Sequence, residues 1–266
     1  MKSKILLIFL LLNLVSFSAF GGVDFDGTDD IVFKADTASL SITGDFTIVA
    51  WALADTSTEV KNIVGKWGGV ANSRSYIMGR LSTNELYIQV SADGTNSTFK
   101  SGSVQMTDGT WYHNACVYVS GGSPTGELFV DGNSDGGAQG ITRQSIADTT
   151  STFLIGAIGD IGPDQTPPTT INEWDGHITE VAIWNVALSS DEISLLAKSR
   201  VKRMPLQIRP SNLVGYWPLN DQPDGTSFDG DTAVDRSGSG NDGIGDDGGG
   251  NDNLTAKAEE VLSYSP

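Results

Sequence analysis

The chain has 266 residues, 33 acidic against 16 basic side chains, a formal net charge of −17 and one cysteine. That charge makes nucleic acid and anionic lipid poor partners, because phosphate binding needs a basic face, and it leaves divalent cations as candidates. One cysteine excludes a disulfide framework, which a chain of this size does not need.

Lys2 and Lys4 precede an apolar run from Ile5 to Leu12 that resumes after Asn13 and continues to Phe20. A basic start, a short apolar stretch and the small residues Ser18, Ala19 and Gly21 predict a secretory signal peptide over 1–21, with cleavage after Ser18 or Gly21 equally acceptable. The stretch from Ile5 to Phe20 is 16 residues, short of the roughly 20 that cross a bilayer. The expected mature chain is secreted, extracellular or periplasmic, without membrane insertion once the signal is removed.

From Val23 to Trp184, short strands are punctuated by Gly, Asp, Asn and Ser. Phe46, Ile48 and Ala50 alternate with Val49 and Trp51 in a strand that is apolar on both faces, which suits a central position. Leu86, Ile88 and Val90 predict one buried face. Asp108-Gly109 and Asp131-Gly132 are turn signals beside strands. Cys116 lies inside the strand pattern of Trp111 to Val119, where a buried thiol is expected, although pairing with another chain stays open. The strand ending at Trp184 breaks at Asn185 and gives way to Ser189-Ser190-Asp191-Glu192, a Ser-x-x-Glu capping box. Ile193, Leu196 and Ala197 follow at helical spacing, which predicts one short helix near 189–200 that stops before Pro205. Many strands with one late helix indicate an antiparallel sandwich. Leu213 to Leu219 reads as one more strand. Residues 220–266 carry 11 acidic and two basic side chains and read as a Gly/Asp-rich acidic tail, mostly loop, with Leu254 to Tyr264 packing back on the domain.

Five blocks in order resemble the laminin-G-like, concanavalin A-like lectin/glucanase domains: Phe25-Asp26-Gly27 with Asp30; Phe46 to Trp51; Trp111-Tyr112-His113 with Val130-Asp131-Gly132; Trp184 to Leu188; and Tyr216-Trp217-Pro218 with Asp235 to Gly243. The resemblance implies an all-β jelly roll over 22–219. In such domains the Tyr-Trp-Pro block often precedes the Phe-Asp-Gly strand, whereas here it comes last. Either the order is permuted and 213–219 completes the same sheet, or a second unit begins; completion avoids an unpaired apolar edge.

Jelly-roll glycoside hydrolases carry Glu-x-Asp-x-Glu on one strand, with the two catalytic carboxyls of retaining enzymes about 5–5.5 Å apart. Here Glu173 and Asp175 can share a face, but Glu180 follows Glu173 at an odd spacing and is expected on the opposite face. The two histidines, His113 and His177, have no nucleophile elbow or zinc spacing beside them. No catalytic residues are assigned on this basis. Asp26, Asp29 and Asp30 surround the Gly27-Thr28 bend and can present the oxygens that Ca²⁺ prefers, or they can serve the turn alone. Trp67 and Trp174 lie near loops and are the candidate sugar platforms, whereas Trp51, Trp111 and Trp184 read as core. The expected function is a secreted, non-catalytic module that binds glycan or a cell-surface protein, with Ca²⁺ as an optional cofactor. A glycoside hydrolase or lyase on the same scaffold, and a structural or adhesion protein, are the alternatives.

Overall fold

A computed structural model describes residues 20–56, 58–160, 167–198, 204–249 and 254–260. The predicted signal segment lies outside them except for Phe20 and Gly21. In chain order the strands are β1 (Phe20–Asp26), β2 (Ile31–Lys34), β3 (Phe46–Ala54), β4 (Lys61–Trp67), β5 (Arg74–Arg80), β6 (Glu85–Ser91) and β7 (Ser97–Gln105). Then come β8 (Tyr112–Val119), β9 (Thr125–Val130), β10 (Asn133–Ser134), β11 (Gln139–Gly140), β12 (Phe153–Ile155), β13 (Ile158–Gly159), β14 (Thr170–Ile171) and β15 (Asp175–Trp184). Helix α1 (Ser190–Lys198) precedes β16 (Leu213–Trp217), β17 (Thr232–Ala233), β18 (Gly243–Asp246) and β19 (Thr255–Glu260).

The first sheet runs β10-β9-β8-β3-β15-β1-β19, with β11 beside β9 and β16 beside β15. The second runs β17-β18-β2-β12-β4-β5-β6-β7. Every pairing between these strands is antiparallel. Alternation along each strand sends one set of side chains between the sheets. Phe46, Ile48 and Ala50 of β3, Leu86, Ile88 and Val90 of β6, and Ile178, Val181 and Ile183 of β15 meet there. The opposite faces of β3 and β15 are covered as well. Val49, Ala182 and Trp184 pack with Ile193 and Leu196 of α1. The helix starts where its chemistry dictates: Ser189 N donates to Glu192 Oε2 at 2.8 Å and Glu192 N to Ser189 Oγ at 3.3 Å, the reciprocal capping box. Arg209 holds the same carboxylate through Nε at 2.7 Å.

The described residues after 212 are held to the sandwich. β16 pairs with β15, with Tyr216 opposite Ala182 and Trp217 opposite Val181, and so completes the first sheet. β18 adds to β2 in the second sheet and β19 to β1 in the first. Phe228, Ala233 and Leu254 are buried in the main core. Most of the described residues of this segment are loop, as expected, but three short strands, β17, β18 and β19, tie it to both sheets. The Asp235–Gly243 block explains how so polar a segment is held. The buried Asp235 carboxylate accepts Tyr216 N–H at 2.9 Å and Asn241 N–H at 2.9 Å. The Asn241 amide donates to Val214 O at 2.7 Å. Buried polar groups with every bond made rigidify a connection that apolar packing alone would not specify.

Candidate functional site

β1 and β15 lie side by side with Asp24 opposite His177. Their neighbours Val23, Phe25 and Ile178 belong to the core, so alternation turns Asp24 and His177 to the outer face. β3 flanks β15 on the other side, with Leu53 opposite His177, and Asp55 follows at its end. A carboxylate oxygen from each of Asp24 and Asp55 and a nitrogen of His177 lie within 4.8 Å of one another. Asp24 Oδ1 is 3.3 Å from His177 Nδ1, a close contact without the alignment of a hydrogen bond. Trp111 stacks on His177, with 5.9 Å between ring centroids and 27° between planes. Asp55 is exposed, while Asp24, His177 and Trp111 are half-buried. An indole beside two carboxylate acceptors is a surface that offers an apolar face and a polar rim together.

None of these four residues was singled out as a ligand site from the sequence, and Trp111 was read as core. It belongs to none of the buried hydrophobic clusters among the described residues. The signal that could have found them is alternation: Val23-Asp24-Phe25 and Gly176-His177-Ile178 each place one polar residue outward between inward ones. Their register, and the approach of Asp55 and Trp111, needed the fold.

His113 sits nearby but differs in kind. It is 2 % exposed and its ring meets Trp51 edge-on at 5.4 Å. Burial pushes its pKa down to about 3, so it is neutral at neutral pH. Cys116 is also buried, and burial raises its thiol pKa far above neutrality.

The carboxylates of β15 are not arranged as alternation alone predicts. The register of β15 against β3 shifts between Thr179 and Ala182, and Glu180 adopts φ 52°. The extra residue of the bulge resets the alternation. Ile178 and Val181 therefore both face the core, and Glu180 accepts a hydrogen bond at 2.7 Å from the hydroxyl of Tyr216, which belongs to the cluster beneath α1. Asp175 is opposite Asp26, on the outer side of the sheet. The expectation that Glu180 lies on the face opposite Asp175 is thus corrected.

Both tryptophans expected as sugar platforms are buried. Trp67 is 5 % exposed and packs with Ile77, Tyr87 and Ile158, while the Arg74 guanidinium carbon lies 5.8 Å from its ring centroid. Trp174 is 2 % exposed in the main core, and its indole N–H donates to Leu53 O at 3.1 Å. Proximity to a loop left neither ring accessible: Trp67 is the last residue of β4 and Trp174 directly precedes β15, and each packs into a core cluster.

Asp26, Asp29 and Asp30 do converge, each bringing a carboxylate oxygen within 4.8 Å of the other two. Asp30 is fully buried. One of its oxygens accepts Asp26 N–H at 2.8 Å and the other has no hydrogen-bond partner. Burial, together with the like charges of Asp26, Asp29 and Asp247, pushes its pKa up to about 8.

Residues 25–194 match the family model of the concanavalin A-like lectin/glucanases superfamily. The chain belongs to this family. Among solved structures, it is similar to a candidate carbohydrate-binding protein of Bacteroides ovatus, at 16 % identity and a TM-score of 0.60, over 93 % of this chain and 61 % of that one. This chain therefore spans less than two thirds of that protein. It is also similar to the heptameric SAP-like pentraxin of Limulus polyphemus, at 16 % identity and a TM-score of 0.50, over 69 % of this chain and 84 % of that one. A third is the carbohydrate-binding module (CBM40) of a Ruminococcus gnavus sialidase, bound to α2,3-sialyllactose, at 11 % identity and a TM-score of 0.50, over 68 % of this chain and 99 % of that one. At these identities the likeness is one of fold. No curated protein matches the chain.

Proposed function

We propose that this is an exported, non-catalytic jelly-roll module that binds carbohydrate, free or on a cell-surface partner, at the outer face of the first sheet. The observation that carries the reading is the Trp111 indole stacked on His177 with the carboxylates of Asp24 and Asp55 beside it. A pyranose has an apolar C–H face and a rim of hydroxyl donors. The aromatic ring suits the first and the carboxylates suit the second, since charge-assisted hydrogen bonds are the strong ones. Membership of a lectin/glucanase superfamily and the sialyllactose-bound fold relative support carbohydrate as the ligand class; fold alone does not assign it.

A glycan array probed with the full chain, followed by titration of the hits, tests the reading. Trp111→Ala should weaken binding at least tenfold, about 1.4 kcal/mol, while leaving the fold intact. A full-strength hit that survives Trp111→Ala and Asp55→Ala together would place the ligand elsewhere. Purified protein should release no reducing ends from β-glucans or galactans. Turnover that persists through repurification and is lost in Glu173→Gln or Glu180→Gln would establish the hydrolase alternative instead.

A further inference from the structure

The acidic turn between β1 and β2 does not stand alone. β18 pairs with β2 so that Asp246 is opposite Ile31 and Gly245 opposite Val32. Continued by one residue, that register brings Asp247 alongside Asp30. The next residue, Gly248, lies against Asp29: a Cβ there would sit 2.2 Å from Asp29 Oδ2, so its backbone reaches the carboxylate only because it is glycine. Asp246 and Asp247 in turn meet Asp229, with one carboxylate oxygen of each within 4.8 Å of the others. Within this loop Gly249 N donates to Asp247 Oδ1 at 2.9 Å. Two groups of three aspartates from distant parts of the chain thus lie at the same end of the β2–β18 pair, with Asp247 and Gly248 nearest the turn.

Like charges gathered this way oppose the fold. The cost concentrates on Asp30, which is 0 % exposed with one carboxylate oxygen unpartnered. A buried, half-satisfied carboxylate surrounded by others of its sign is the arrangement that a cation relieves. The spacing fits a particular ion class. Oxygens bound to Ca²⁺ at about 2.4 Å can be no more than about 4.8 Å apart, and both groups of three meet that limit. All the available ligands are hard oxygens, which favours Ca²⁺ over softer metals.

We propose that Asp26, Asp29 and Asp30 of the opening turn and Asp246 and Asp247 of the C-terminal segment, with Asp229 behind them, form a composite Ca²⁺ site that fastens residues 228–249 to the start of the domain. The inference goes beyond the carbohydrate reading and stands or falls separately, because it is read in stability rather than in ligand binding.

The test uses the full chain, stripped with chelator and titrated with CaCl₂ or MgCl₂, followed by thermal melting and amide hydrogen exchange. Ca²⁺ should raise the melting temperature and, at a hundred times its Kd, slow globally limited exchange of the Phe228 and Gly245 amides about a hundredfold. Asp30→Asn keeps an acceptor for Asp26 N–H and the side-chain shape. It should lose the Ca²⁺ response. Asp247→Asn should lose the response as well. A native chain indifferent to Ca²⁺ overturns the proposal. So does a response that survives Asp30→Asn, which would place the ion on the acidic surface elsewhere. A response lost in Asp30→Asn but kept in Asp247→Asn confines the ion to the turn and refutes the composite site.

Discussion

Replacing Trp217 by alanine tests whether the late strand is integral to the sandwich. Trp217 is 1 % exposed. Its ring stacks on Phe153 of the second sheet at 4.9 Å and 21°, and its indole N–H donates to Asn241 O at 2.9 Å. One side chain therefore joins the first sheet, the second sheet and the Asp235–Gly243 connection. Gly215 is shaped around it, since a Cβ there would lie 2.3 Å from the ring. Removing a buried Trp costs about 3–5 kcal/mol, and the stranded Asn241 carbonyl adds about 1 kcal/mol or more. Against a typical total of about 5–15 kcal/mol, that is about a quarter of the stability or more. At about 2–4 °C per kcal/mol for a domain of this size, the melting temperature should fall by about 8 °C or more. Trp217→Phe keeps the stack but loses the hydrogen bond, and should fall between the two. Thermal and urea unfolding followed by far-ultraviolet circular dichroism measure this without relying on tryptophan emission. A Trp217→Ala variant within about 1 kcal/mol of the native chain would refute the reasoning and make β16 an appendage.

Two further expectations concern acid stability and export. His113 is held neutral by burial with its pKa lowered from 6.5 to about 3, so the unfolded chain takes up this proton first. The stability it supports is complete above pH 6.5 and is lost as pH falls towards 3. His113→Phe should flatten that part of the urea-midpoint profile between pH 7 and 4, and an unchanged slope would show that His113 is protonated without cost. If the Lys2-to-Phe20 segment directs export, secreted material should begin between Ala19 and Gly22; an intact Met1 on extracellular protein would exclude cleavage. Either predicted cut leaves the β1–β15 pairs from Val23 to Asp26 in place.

Fold class was legible because it rests on local chemistry that tertiary contacts reinforce. The two-sided apolar pattern of Phe46 to Trp51 required a central strand, and β3 lies between β8 and β15. Ser189 and Glu192 are close in sequence and needed only each other to cap α1. What was not legible depends on neighbours far along the chain. The Asp235–Gly243 block reads as polar loop and is one; its anchoring could not be read because the partners, Tyr216 N and Val214 O, lie on β16. Trp67 and Trp174 read as loop-proximal because the residues that bury them, such as Ile77, Tyr87 and Ile158 around Trp67, are distant in sequence. The bulge at Glu180 cannot be counted from spacing, since one inserted residue inverts every facing beyond it. The site at Trp111 and His177 was missed for the same reason, because it joins the mouths of β1, β3, β8 and β15.

The topology ties the two proposals together physically. Asp24 and Asp26 are two residues apart on β1, so both point to the outer face, about 7 Å from one another along the strand. Asp24 contributes to the proposed carbohydrate surface, and Asp26 to the acidic turn. Asp26 N–H is bonded to Asp30, and Asp175, opposite Asp26, has a Cβ only 2.8 Å from where a side chain on Gly27 would begin. The turn is therefore packed directly against the start of β15, the strand that carries His177. A cation that orders the turn would fix the end of the β1–β15 ladder, and with it the separation of Asp24 from His177. A site assembled from strand ends is more precise when the ends themselves are held. Calcium should then affect carbohydrate affinity without touching the sugar. The coupling would vanish in Asp30→Asn, whereas Trp111→Ala would weaken binding equally with and without the ion.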